Sequence, residues 1–351
     1  MYQIDIVRGE DCNAFTKAPA DAAKIARQVG FKMLRVRAYW WRYAILSSFV
    51  GTPLRFLQRV WFQYLLKRAD VIFLQYPNQA LKSVIGCDFI AQIRSHRQAH
   101  RQVKVITLIH DLDSLRSGAK ENIQIAWKNI LRVTDTFIVH NAAMEKLLCE
   151  MGLASEKLVN LQLFDYLSRQ QPSQNQFTNW KSVAIAGNLG LEKAEYLKDL
   201  KTIEKVQWKL YGPHLDADQV LAQNVQYGGC IPADEIITRL SQGFGLVWDG
   251  TSIETCAGPT GEYLKINNPH KLSLYLAAGL PVIVWKQSAV ADFVIQNKVG
   301  LAVDSLKDIA QMLDKMDENV YRELVANVQG LSNKLRSGYF LRAALERVLR
   351  L

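Results

Sequence analysis

Nothing in the cysteine pattern suggests a crosslinked or metal-bound framework. The five cysteines, Cys12, Cys87, Cys149, Cys230 and Cys256, are odd in number, scattered and free of C-x-x-C spacing, which argues against a disulfide scaffold and a thiolate zinc site. A reducing cytosol is the expected compartment. No uncharged apolar run reaches about eighteen residues. Arg42, Arg55, Arg59, Lys67 and Arg68 interrupt the most hydrophobic region, so no spanning helix is expected. The first residues, MYQIDIVRGEDC, carry acids and a strand-like alternation in place of a basic and then apolar leader, so no secretory signal is expected. There is also no repeat of fixed period and no low-complexity tract.

What is present is ordinary for a globular chain. Its 351 residues, 49% hydrophobic and 22% charged, are enough for two domains with separate cores. The net charge of +10 suits nucleic acid, an anionic membrane surface or negatively charged small substrates, and does not choose among them. Short apolar runs alternate with helical patterns, which predicts an α/β chain with parallel sheets and crossover helices. The first half offers YQIDIV, VIFLQY, VKVITLIH and TFIVH as strands and MEKLLCEMG as a helix ended by Gly152. SRQQPSQNQ, from Ser168 to Gln176, is poor in large apolar residues and contains a proline, so it reads as the interdomain linker. A second series follows: SVAIAG, VQWKLYG, VQYGG, FGLVWDG and PVIVW. The expected division is a first Rossmann-like domain over 1–168, a linker over 169–177 and a second over 178–335.

Such domains bind ligands outside the carboxyl ends of their strands. Polar or glycine signatures stand there after four strands: Gly187-Asn188-Leu189-Gly190, Tyr211-Gly212-Pro213, Trp248-Asp249-Gly250 and His110-Asp111-Leu112-Asp113. Glycine turns also occur where no phosphate binds, and GNLG falls short of a complete G-x-G-x-x-G. The segment NNPHK is more pointed. Asn268 reads as an N-cap and Pro269 as the first helical residue, with Leu272, Tyr275 and Leu276 continuing the helix to Gly279. Lys271 then lies at the positive end of the helix dipole, where a cation is unfavourable by about 0.3–1 kcal/mol and an acid is usual. A bound diphosphate would supply the missing anion. The plainer reading is a solvated lysine on an ordinary helix.

These residues also carry a resemblance. GEYLKINNPHKLSLYLAAGLPVIVW, with FGLVWDG and HDLDSLR upstream, resembles bacterial sugar-nucleotide glycosyltransferases of the GT-B architecture. The group is that of the β-1,6-galactofuranosyltransferases of surface polysaccharides and the second-step glucosyltransferases of serine-rich adhesins. NAFTKAPADAAKIARQVGFK is similar to that group's first loop and helix. The resemblance implies two Rossmann-like domains facing across a cleft, with the last helix, over 336–351, crossing back to the first. It implies a UDP-sugar donor, with glucose or galactofuranose as the transferred hexose and neither metal nor other cofactor. Tyr263, Asn267, Asn268, His270 and Lys271 would surround the diphosphate and adjoining sugar, and Asn188 and Tyr211 would lie nearer the uridine or ribose. Asp249 joins this donor set, and Thr16 with Lys17 would close over the donor from the first domain. Helix N–H groups and Lys271 can stabilise a departing UDP without a metal.

Many GT-B enzymes carry two glutamates eight positions apart. Here the corresponding positions hold Ile266 and Leu274, while Glu254 and Glu262 have the spacing but precede the helix. Candidates for a base that deprotonates the acceptor are His110, Asp111 and Asp113. Either aspartate could instead cap a helix, and the histidine could be a buried hydrogen-bonding residue. Residues 31–70 interleave arginine and lysine with tryptophan, tyrosine and leucine, which suits peripheral contact with a membrane, helices packed on the first sheet, or an oligomer contact. The expected acceptor is a glycan, glycolipid or glycoprotein, and the expected assembly a homo-oligomer in the cytoplasm or on the inner membrane face. A nucleic-acid binder is disfavoured because no RNP motif or zinc finger appears. A catalytically silent partner subunit and a sugar-nucleotide epimerase remain as alternatives.

Overall fold

Runs such as VIFLQY and FGLVW have aliphatic or aromatic side chains on both faces of the pleat, the pattern of strands covered on both sides. The computed structural model describes residues 1–7, 14–37, 57, 60–77, 89–99, 103–112, 115, 121–173 and 177–350. Two six-stranded sheets result, with every strand pair parallel. The first contains β1 (Tyr2–Val7), β2 (Lys32–Arg37), β3 (Val71–Tyr76), β4 (Lys104–Ile109), β5 (Thr136–Val139) and β6 (Leu158–Asn160). Its order is β2-β1-β3-β4-β5-β6. The second contains β7 (Ser182–Ala186), β8 (Gln207–Tyr211), β9 (Val225–Tyr227), β10 (Phe244–Val247), β11 (Val282–Trp285) and β12 (Gly300–Val303). Its order, β12-β11-β10-β7-β8-β9, is that of a dinucleotide-binding Rossmann sheet, with the reversal of direction between β7 and β10.

Register decides what the strand ends present. Tyr76 pairs with Ile109 across β3 and β4, so Pro77 and His110 leave the first sheet at one edge. Ala186 pairs with Tyr211 across β7 and β8, so Gly187 and Gly212 leave the second sheet together.

The helices include α1 (Ala14–Gln28), α2 (Ala142–Glu150), α3 (His270–Ala277), α4 (Glu318–Ser337) and α5 (Tyr339–Arg350), of which α1 and α3 line the cleft. α4 packs on α3 and ends at Gly338 in the left-handed region (φ 79°), which turns the chain into α5. α5 lies on α1 and β6 with Phe340, Leu341, Ala344, Leu345 and Val348 buried. The Asp165 carboxylate accepts from the N–H groups of Phe340 (3.1 Å) and Leu341 (2.8 Å) at the start of α5. A single apolar cluster runs from Ile25, Phe73 and Ile138 through Ala184, Tyr275 and Val284 to Phe340 and Leu345, so the two sheets share a core.

The sequence reading did not foresee β2, β6 or β12. Within 31–70, KMLRVR forms the edge strand β2, where alternating charge is expected, and residues 38–56, 58 and 59 lie outside the described residues. No helix among the described residues is long and apolar enough to cross a membrane.

Candidate functional site

The carboxyl edges of the two sheets enclose a cleft of about 430 Å³, within the range of small-molecule sites. Its floor on the second side is made of backbone. Gly212 has φ 139°, and a Cβ there would fall 1.8 Å from the Gly187 carbonyl oxygen, so only glycine allows the two turns to meet. Leu189 N–H donates to the Pro213 carbonyl (3.0 Å), and the Asn188 Oδ1 accepts from Gly190 N–H (2.9 Å), which holds GNLG in an Asx turn. Tyr211, buried at the end of β8, lines the same wall.

α3 begins one residue later than the sequence suggests. Pro269 (φ −64°, ψ 134°) occupies the N-cap position, and the Asn268 side chain does not cap the helix. The reason lies in tertiary partners. The Asn268 Oδ1 accepts from Asn141 Nδ2 (2.6 Å), while its Nδ2 donates to the carbonyls of His140 (2.9 Å) and Gln162 (2.6 Å). His140 Nδ1 in turn accepts from Asn268 N–H (3.0 Å). Buried and engaged on every side, Asn268 fastens the first sheet to the second and has no donor left for a diphosphate. α3 is held against β7 by Tyr275, whose hydroxyl accepts from Ala186 N–H (2.7 Å).

Lys271 is not the lone cation expected. Its ammonium pairs with Asp249 (2.9 Å) and donates to the Trp248 carbonyl (2.9 Å). The sequence therefore does contain an anion for Lys271, carried in by the end of β10. Of the three ammonium protons one remains for a ligand. Beside it, Asn267 Oδ1 is enclosed without a hydrogen-bond partner, the ring nitrogens of half-buried His270 meet only the Asp165 main chain, at the margin of hydrogen-bond geometry, and both residues line the cleft with Lys271. Desolvation lowers the His270 pKa to about 4, the Lys17 charge adds to this and the Asp165 main chain opposes it, so the ring is neutral near pH 7. Buried polar atoms without partners mark places where a ligand can complete the bonding.

The first sheet contributes His110 and Asp111, with Phe164 behind them. His110 stacks on Phe164 (5.5 Å between centroids, 12° between planes), and its Nε2 lies 2.7 Å from Gln75 Oε1. Because Gln75 Nε2 donates to the Pro19 carbonyl (3.2 Å), its oxygen is the end that faces the histidine. The proton is thereby fixed on Nε2, and Nδ1 is the basic nitrogen. Asp113 lies outside the described residues.

Thr16 and Lys17 are not among the residues lining the cleft. Lys17 is buried, and pairs with Asp21 (3.0 Å) and with Asp234 of the second unit (2.8 Å) while donating to the Leu167 carbonyl (2.6 Å). It clamps the two units, and all three of its ammonium protons are engaged. Tyr263 does line the cleft, although its hydroxyl accepts from Leu112 N–H (2.7 Å) and so also bridges the units. Glu254 and Glu262 pair with Lys307 and Lys265 away from the cleft. Sequence reasoning missed Gln75 and Lys193, both close to the site. Lys193 follows the GNLG turn, which was a usable signal; Gln75 is one polar residue inside an apolar strand, which was not. Among the described residues no cluster of His, Cys, Asp and Glu could hold a metal ion.

Comparison with known proteins accords with this geometry. Residues 1–163 match the family model of the glucosyltransferase 3-like N-terminal domain, and residues 183–348 match that of the C-terminal domain. The chain is 35% identical over 256 residues to the beta-1,6-galactofuranosyltransferase WbbI of Escherichia coli (strain K12), covering 71% of this chain and 73% of that one. It is 26% identical over 329 residues to glucosyltransferase 3 of Streptococcus gordonii, covering 93% and 92%. Among solved structures, HepE from Anabaena in complex with UDP and glucose superposes with a TM-score of 0.64 at 14% identity, over 100% of this chain and 99% of that one. An alpha-glucosyltransferase in complex with UDP gives a TM-score of 0.60 at 12% identity, over 99% and 98%. At these identities the likeness is one of fold, the two-sheet GT-B arrangement. The chain belongs to the glucosyltransferase 3-like family.

Proposed function

We propose that this chain transfers a hexosyl group from a UDP-sugar to a glycan, lipid-linked or glycoprotein acceptor, in the cytoplasm and without a metal ion. The observation that carries this reading is the amino end of α3, where the Lys271 ammonium keeps one proton beyond its bonds to Asp249 and Trp248, and enclosed Asn267 Oδ1 and the His270 ring line a cleft floored by the Gly187 and Gly212 turns. As the anomeric carbon–oxygen bond breaks, negative charge develops on the β-phosphate of the departing UDP. The first amides of α3 and the Lys271 ammonium oppose that charge, and more strongly in the leaving group than in the bound donor. Asp249 holds the ammonium in place. The neutral His270 adds a hydrogen bond with no charge of its own.

From the opposite wall, His110 is the base this reading assigns. Its Nδ1 takes the proton of the acceptor hydroxyl as that oxygen bonds to the anomeric carbon, and Gln75 supports the resulting imidazolium through the Nε2–H bond. UDP-glucose and UDP-galactofuranose are the donors to try first, since the relatives are named for these sugars.

The test is turnover by the purified chain with each donor and an acceptor panel, following UDP release and product mass. UDP release that requires an acceptor is expected. A donor altered without acceptor would indicate an epimerase, and UDP binding with no turnover would indicate a silent partner subunit.

A further inference from the structure

The positive charge of this chain is concentrated. Residues 22–69 contain ten lysines and arginines and no aspartate or glutamate, whereas the rest of the chain holds 33 residues of each sign. The whole net charge of +10 therefore resides in that stretch.

Near its end lies a helix that is apolar on two faces. Leu57 and residues 60–66 are helical. Phe62, Leu65, Leu66 and the following Ala69 turn inward and join the core of the first sheet. Leu57, Val60, Trp61 and Tyr64 follow i, i+3, i+4, i+7 spacing on another face and are 61%, 48%, 50% and 47% exposed. Exposed Lys67 and Arg68 come next, with the Arg68 guanidinium 4.3 Å from the centre of the Tyr64 ring. The inward stripe is all that packing on the sheet requires. Among the described residues the outward stripe has no such role.

We propose that this outward stripe docks the protein on an anionic phospholipid surface. Leu57 and Val60 enter the apolar boundary, Trp61 and Tyr64 sit at headgroup depth, and Lys67 and Arg68 meet lipid phosphates. Charge selects this occupant over a second copy of the chain. Two copies of this stretch, each carrying a net +10, repel one another, whereas an anionic bilayer complements that charge. The inference goes beyond the transferase reading and is independent of it, because it is read by binding and not by turnover.

The test is co-sedimentation of the full chain with vesicles of phosphatidylcholine alone or mixed with phosphatidylglycerol, at low and physiological salt, alongside sedimentation velocity without lipid. The variants are Trp61→Ser/Tyr64→Ser and Lys67→Glu/Arg68→Glu, all at exposed positions. The parent is expected to bind the phosphatidylglycerol vesicles at least about tenfold better than neutral ones, with binding weakened by salt. Each double variant is expected to lose about tenfold in affinity with an unchanged circular dichroism spectrum. Absence of binding to anionic vesicles, equal binding by parent and variants, or a lipid-indifferent dimer that Trp61→Ser/Tyr64→Ser dissociates would overturn the proposal.

Discussion

A cation in the first turn of α3 is opposed by the helix dipole, and Asp249, 2.9 Å away, offsets that cost while leaving Lys271 a proton for a ligand. That pairing was not legible in NNPHK, because Asp249 stands twenty-two residues earlier at the end of another strand. The same holds for Asn268, whose partners His140, Asn141 and Gln162 lie more than a hundred residues away and leave no local pattern. Residues that follow strand ends, such as His110, Asn188 and Tyr211, were legible because topology alone puts them at the cleft. The proposed base, His110, carries a prediction. His110→Ala should lower kcat by about a hundredfold or more with little change in KM for the donor. Gln75→Ala should lower kcat less and also move its pH profile, since the tautomer is no longer fixed; an unmoved profile would make Gln75 merely structural.

At the level of elements, the second sheet was nearly complete in the sequence because most of its strands are short apolar runs, and β7, β8 and β9 each end at a glycine. β12 escaped: the middle pair of GLAV is only half-buried, whereas the equally short β10 and β11 are buried throughout. The turn after β8 leaves no latitude: Gly212→Ala places a methyl against the Gly187 carbonyl in a backbone region that favours glycine. It should lower stability by more than about 1 kcal/mol and weaken UDP binding, measured by denaturant titration and calorimetry. The start of α5 offers a pH test. Burial raises the Asp165 pKa from 3.8 to about 7, against the two N–H bonds that lower it, with the Asp21 charge adding to the rise. A folded-state pKa above the unfolded one favours folding at low pH, and that contribution is lost as pH climbs from about 4 to about 7. His140 and His270, both lowered to about 4, act in the opposite sense, favouring folding above about 6.5 and losing that contribution as pH falls toward 4. They cancel in a comparison of the parent with Asp165→Asn. The parent's unfolding free energy relative to the variant should therefore decline between pH 4 and 7; a pH-independent difference would contradict the assignment.

Across the whole molecule, the two sheets are joined by more than a linker. The shared apolar cluster, the Asn268 network, the Tyr263 contact with Leu112 and the Lys17–Asp234 pair together hold the cleft at its present width. Local patterns gave the tandem α/β architecture but none of these fastenings, each of which depends on residues brought together only by folding. Lys17, Tyr263 and Asn268, which resemblance places around a donor, thus serve as joints of the cleft, and the proposed diphosphate site rests on the amino end of α3 and the glycine turns. UDP affinity by calorimetry, compared between the parent and Lys271→Ala under conditions where both are folded, tests that placement most directly. Loss of a charge-assisted contact worth about 1.5–3 kcal/mol should weaken UDP binding about ten- to a hundredfold. Equal affinity for UDP in the two proteins would contradict a diphosphate site at α3.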